Sequence, residues 1–301
     1  MHCPIDYALS FDKTPTLQCE TLYVVGGLYG NMEALEALKR IIEPNALVVF
    51  NGDIHWFDAN AELFLRIEEA IAPYILLNGN VEMELSRDVK SGAGCGCFYP
   101  ECVSESTKVW AHEIHAILST VVDTHLSAYK KRFQERKACL SVWVGAHNVA
   151  ITHGDETSLA GWGCSHQNLR KPERQEALNQ WFESTKFSVL ASSHTCEAAL
   201  LHLENGVLIN NGAAGLPNFK ALGSGLVTRI STTQASNALY GTRFKTLFID
   251  ALMLDYDAKA FQEHFCAMWD RQSPASLSYL KRITEGVSKE PQEALIPSFY
   301  M

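Results

Sequence analysis

Three apolar runs limit what this chain can fold into. "TLYVV" at 21–25, "ALVVF" at 46–50 and "YILL" at 74–77 each stop on a small polar loop, "GGLYGN", "NGD" and "NGN". Between them lie "NMEALEALKRII" and "ANAELFLRIEEAI". Their apolar residues recur at helical spacing, with Leu35, Leu38, Ile41 and Ile42 on one face of the first. Strands that are apolar throughout, alternating with amphipathic helices, spell β-α-β-α-β, with parallel strands buried on both faces. Parallel α/β sheets bind ligands at the carboxyl ends of their strands, so the polar loops mark the edge where a site forms.

The pattern then changes. Residues 86–138 are read as a helical insertion, polar and helically spaced from about 105 onward. Beyond it, "LSVWVGAHNVAITHGD" and "AALLHLENGVLINNGAAG" carry hairpin signals, with Asn205-Gly206 suited to a type I′ turn, and "FSVLASSHTC" lies between them. Residues 237–301 are expected to add a strand, "TLFIDALMLDYD", and two closing helices. Asp257 and Ser276 are the expected N-caps of those helices. This segment reads as a C-terminal strand-and-helix extension packed on one domain that spans 1–301. A chain of 301 residues is long enough to bury a sizeable core.

Charge and cysteine usage narrow the function classes. A formal net charge of -9 argues against a nucleic-acid clamp. No apolar run approaches membrane-span length, and "MHCPIDYALSFDK" lacks the basic start and apolar centre of a signal peptide. A cytoplasmic protein with no membrane partner is expected, which suits nine scattered cysteines. Cys95, Cys97 and Cys102 cluster in "CGCFYPEC". They admit two readings, a metal or redox site, or a Gly-rich turn with small buried thiols.

Polar groups able to bind a metal recur at the strand ends. They are Asp53 in "NGDIHWFD", Asn80 in "NGNVE", His153 in "ITHGD" and His194 in "SSHTC". One carboxylate, one amide oxygen and two imidazoles form a mixed oxygen and nitrogen set suited to manganese, iron or zinc. The first loop differs, for it offers only Gly26, Gly27, Leu28, Tyr29, Gly30 and Asn31.

In this order, "GGLYGN", "GDIHWFD", "GNVE", "THGD" and "SHTC" resemble the motifs of the calcineurin-like metallophosphoesterase family, in its smaller bacterial branch. "INNGAAGLP" is similar to the segment that follows the family's last histidine, and the resemblance covers roughly 20–235. It implies an α/β fold, a two-sheet β-sandwich flanked by helices in a four-layer αββα arrangement. It also implies a site for two metals sharing a bridging Asp, here Asp53. Asn80, His153 and His194 match the other ligands of the second metal. The first metal's ligand positions are degraded, since Gly27, Tyr29 and Cys196 stand where the family has Asp, His and His. Val81 stands where the family has a proton-transferring His, and Glu82 after it is kept.

The expected cofactor is therefore one divalent or trivalent transition metal, with the second site degraded. Tyr29 (as hydroxyl or phenolate), His55, Glu82 and Cys196 are the candidate catalytic or substrate-contacting residues. Asp155 is a candidate to orient His153, or else to cap its loop. Trp56, Phe57 and Trp162 are candidate pocket walls. The implied function is an atypical phosphoesterase that hydrolyses a phosphate monoester or diester by attack of a metal-bound water. The alternative is an inactive relative serving as a binding scaffold or as a sensor of nucleotide or phosphate. Its partner is then a phosphorylated small molecule or nucleotide, and the insertion or the C-terminal region is a candidate homodimer contact.

Overall fold

The computed structural model describes residues 5–87, 94–97, 99–101, 103–220 and 223–299. Cys102 lies outside the described residues. After a 3₁₀ turn at Ile5–Tyr7 come a short strand, β1 (Gln18–Cys19), then β2 (Thr21–Val25), α1 (Met32–Ile41), β3 (Leu47–Asn51), α2 (Ala61–Ile71) and β4 (Ile75–Leu77). Strands β2, β3 and β4 pair in parallel. Asn31 and Asn60 cap the two crossover helices by accepting backbone N–H groups of their first turns.

A short helix, α3 (Asn80–Leu85), leads into the insertion, where α4 (Glu105–His125) and α5 (Ala128–Glu135) form the helical stretch. Next come the hairpin β5 (Cys139–Val144) and β6 (His147–Thr152), then α6 (His166–Leu169), α7 (Pro172–Thr185) and β7 (Val189–Ser192). A second hairpin, β8 (Ala198–His202) and β9 (Val207–Asn211), turns at Leu203–Gly206. The chain closes with β10 (Gly225–Ser231), β11 (Ala238–Phe244), β12 (Leu247–Leu254), α8 (Ala258–Met268), α9 (Pro274–Glu285) and β13 (Leu295–Ile296).

Two mixed sheets result, in the orders β11-β12-β10-β2-β3-β4 and β1-β5-β6-β7-β9-β8-β13. Strand β2 shows why the apolar runs are unbroken. Leu22 and Val24 face the other sheet and pack with Val142, Ile151 and Val189. Tyr23 and Val25 face the helices and pack with Leu35, Phe64, Ile114 and Phe265. On the far side, α7 buries Leu178 and Phe182 against Leu190 and Leu208. The layers are thus helix, sheet, sheet, helix, the sandwich expected from the sequence. The described part of the C-terminal extension, 237–299, is woven into it, with β11 and β12 extending one sheet and β13 edging the other. Asp257 caps α8 as expected, but α9 starts earlier than read. Ser273 is its cap, with Pro274 as the first residue and Ser276 inside the first turn, because proline's fixed φ suits that opening position. Among the described residues no helix is long and apolar enough to cross a membrane.

Candidate metal centre and its cavity

The loops after β3 and β4 approach so closely that neither tolerates a side chain at the contact. A Cβ on Gly52 would collide with the Gly79 backbone, and one on Gly79 with Asp53. Gly52 and Asp53 both take positive φ, +80° and +52°, which turns the chain sharply and aims the Asp53 carboxylate along the strand end. Glu82 locks this arrangement. Its buried carboxylate accepts the N–H groups of Asp53 (2.9 Å), Ile54 (2.7 Å) and Gly79 (2.9 Å). Glu82 was expected among the substrate-facing candidates; instead it points inward and clamps two loops together.

Four strand-end side chains converge around one atom, His153 Nε2. Asn80 Oδ1 lies 3.1 Å from it, His194 Nδ1 3.1 Å and Asp53 Oδ2 3.3 Å. The other end of each group sets its orientation. His153 Nδ1–H donates to the Asn51 carbonyl at 2.8 Å, which leaves Nε2 with a lone pair. Asn80 Nδ2 donates to the Cys95 carbonyl at 2.6 Å, turning Oδ1 to the cluster. His194 Nε2 lies 3.4 Å from Cys97 Sγ, which also accepts the Trp162 indole N–H at 3.4 Å. With Nε2–H donating to that sulfur, His194 Nδ1 faces the cluster bare. Four lone pairs then point at one another, and a single proton can satisfy only one pair of them.

Burial pulls His153 down, but the Asp53 charge and its bond outweigh it and raise the imidazole above its ordinary value. Burial would raise Asp53, yet His153 and His194 outweigh it and lower the carboxyl. Burial and then the His153 charge push His194 down to about 3, so it remains a neutral donor. Asp53, His153 and His194 offer ligand atoms within 4.8 Å of one another, the only such group of three His, Cys, Asp or Glu among the described residues. The donor set fits a cation.

Two solved structures share this architecture. A hypothetical protein from Pyrococcus horikoshii OT3 is 11% identical, with a TM-score of 0.58 over 89% of this chain and 99% of that one. A metallophosphoesterase from Sphaerobacter thermophilus is 13% identical, with a TM-score of 0.53 over 89% and 100%. The chain has the calcineurin-like metallophosphoesterase fold. No family model and no curated protein matches the sequence.

On this metallophosphoesterase frame, the positions expected to be degraded have been rebuilt as a plug. Gly27 (φ +64°) has no side chain, and the Tyr29 ring lies over it, 2.9 Å from where a Cβ would stand. The Tyr29 hydroxyl bonds Cys196 Sγ at 2.6 Å. Burial, then the neighbouring Cys196 and Asp53, raise Tyr29 well above its ordinary value and favour its phenol form. Cys196 is likewise raised by burial, partly offset by Arg282.

The expectation for His55 is corrected, while Asp155 and the cysteine pair follow one of the two readings left open for each. His55 is fully buried and turned away, with Nδ1 on Asp58 (2.6 Å) and Nε2 on Glu68 (2.8 Å), so no ring nitrogen remains for a ligand. Asp155 does not reach His153, whose Nδ1 is taken by Asn51. Its carboxylate instead caps its own loop, accepting from Thr157, Ser158 and Gly163. Cys95 and Cys97 form no separate metal group among the described residues, for Cys95 meets the Tyr99 hydroxyl and Cys97 supports His194.

The cluster opens on a cavity of about 190 Å³. Asp53, Asn80 and His194 line one side; Tyr29, Trp56, Cys196 and Trp162 line others, while Phe57 packs in the core against Tyr29 and Tyr279. Sequence reasoning missed Tyr279 and Arg282 of α9, which complete the wall. Their one signal was shared helical spacing, three residues apart on one face.

Proposed function

We propose that the protein is a single-metal phosphoesterase acting on a small phosphorylated molecule, monoester or diester. One observation carries this reading, the convergence of Asp53, Asn80 and His194 on His153 Nε2 within 3.3 Å. These four residues would hold the cation, and the oxygen and nitrogen donors suit manganese, iron or zinc. A bound cation supplies Lewis-acid polarisation of a phosphoryl oxygen and a lowered pKa for water.

The chain's own groups prepare that chemistry. Asp53 brings the one negative charge among the described cavity-lining residues. Asn51 and Cys97 hold the two imidazoles in the tautomers that present lone pairs. Val81 leaves the cavity without a proton donor at that position, and the tyrosines and thiols that line it with shifted values are all raised. Substrates whose leaving group departs without protonation, such as aryl phosphates, are therefore favoured. A cytoplasmic setting belongs to the same reading and is supported by seven free thiols among the described cysteines.

The test is metal analysis of the purified protein together with turnover of aryl phosphate mono- and diesters in manganese, iron or zinc. One metal per chain, with turnover lost in His194→Ala, supports the reading. No bound metal and no turnover under all three ions overturns it. The plug of Tyr29 over Gly27 favours a second reading, a phosphate-binding scaffold or sensor. Stoichiometric metal and ligand binding without product would select that one.

A further inference from the structure

Arg282 stands out among the arginines. Of those buried or half-buried among the described residues, Arg87, Arg136, Arg174 and Arg229 each bond a carboxylate: Glu84, Glu68, Glu156 and Glu43. Arg282 bonds only neutral acceptors. Its Nε–H donates to the Pro217 carbonyl at 2.8 Å, and Nη2 donates to the Cys196 carbonyl at 3.2 Å and Asn218 Oδ1 at 3.4 Å. These bonds hold the guanidinium from one edge while the residue lines the cavity.

The cavity does not supply the missing counter-charge. Asp53 is the only carboxylate among its described lining residues, and it faces His153. With a divalent cation held by the Asp53 cluster, the cavity carries a net positive charge that calls for an anion. The wall carries a second N–H donor. Trp56 is buried and lines the cavity, and its indole N–H, beside the Tyr279 hydroxyl, makes no hydrogen bond of good geometry.

We propose that Arg282 contacts the substrate and binds its phosphoryl oxygens, fixing an anionic phosphate between α9 and the Asp53 cluster. Nη1, which none of the bonds to Pro217, Cys196 and Asn218 uses, is left to donate to phosphate oxygens. The proposal deepens the phosphoesterase reading and rests on it for the identity of the anion. It also assigns a task to the C-terminal helix, which lies outside the motifs that carry the cation ligands.

Calorimetric titration of the full-length, metal-loaded protein with inorganic phosphate tests this directly. The expected result is phosphate binding by the wild type and a loss of about 10- to 100-fold in Arg282→Gln, the scale of one hydrogen bond to a charged group. Arg282→Lys should keep part of the affinity, and metal content should be equal in all three. An Arg282→Gln protein with native melting temperature and metal content that binds phosphate as tightly as wild type overturns the proposal. So does a wild type that binds no phosphate.

If Arg282→Gln does not fold, wild-type protein labelled with ¹⁵N-arginine provides the readout. One guanidinium signal should move on phosphate addition and saturate with the calorimetric affinity, and chloride at equal ionic strength should not move it. No shift overturns the proposal. Arg282-dependent phosphate binding without turnover would keep the inference and sink the hydrolase. Turnover with Arg282-independent phosphate binding would do the reverse.

Discussion

Glu82 accepts three backbone N–H groups from two loops that carry Asp53 and Asn80. In Glu82→Gln an amide NH₂ would face donors, and the charge that strengthens all three bonds would be gone. The expected cost is about 2–4 kcal/mol of stability, seen as a lower urea midpoint, together with weaker cation binding. Cys97 acts on His194 through one sulfur acceptor. Cys97→Ala should weaken cation binding by about 10-fold or more, while Cys97→Ser, which keeps an acceptor, should retain most of it in a metal titration. Tyr29 and Gly27 are coupled by their 2.9 Å approach. Gly27→Ala should destabilise wild type more than it destabilises a Tyr29→Ala background, with a coupling of about 1–2 kcal/mol in a double-mutant cycle of melting free energies. The strain of a non-glycine residue at φ +64° should remain in both backgrounds.

At the scale of elements, the His55 network ties the loop after β3 to the helices beside it. His55 stacks on Phe64 of α2 at 3.8 Å, bonds Asp58 and Glu68, and Arg136 after α5 grips Glu68 at 2.6 and 2.7 Å. Burial alone would lower His55, but Asp58 and Glu68 raise it from 6.5 to about 9. The sign follows. This stabilisation is full below pH 6.5 and is lost as pH rises through 9. Glu68, raised by burial but held down to about 2 by His55 and Arg136, contributes above pH 4.5 and fails as pH falls through 2. The melting temperature of wild type should therefore decline between pH 6.5 and 9, and His55→Gln should flatten that decline. A wild-type curve that is level across this range would refute the assignment.

For the whole molecule, the four proposed cation ligands join two sheets. Asp53 and Asn80 follow strands of one sheet, while His153 and His194 follow strands of the other. A bound cation therefore crosslinks the sandwich. Chelation should lower the global melting temperature, and adding metal at 100 times its dissociation constant should restore about 2.7 kcal/mol. The sandwich and its functional edge were legible because each apolar run ends where a polar group begins. His55 misled because proximity to Asp53 suggests a shared environment, whereas two successive positive φ angles turn the chain and send the ring into α2. Motif spacing likewise cannot tell that Glu82 faces inward. Arg282 was invisible for another reason. It meets Cys196 across 86 residues, through a path that only the folded chain supplies. Ribosomal synthesis gives that distance a temporal meaning. The four proposed cation ligands are all made by residue 194 and the wall bearing Arg282 only later, so a chain cut short before α9 would carry the donors without that side of the pocket.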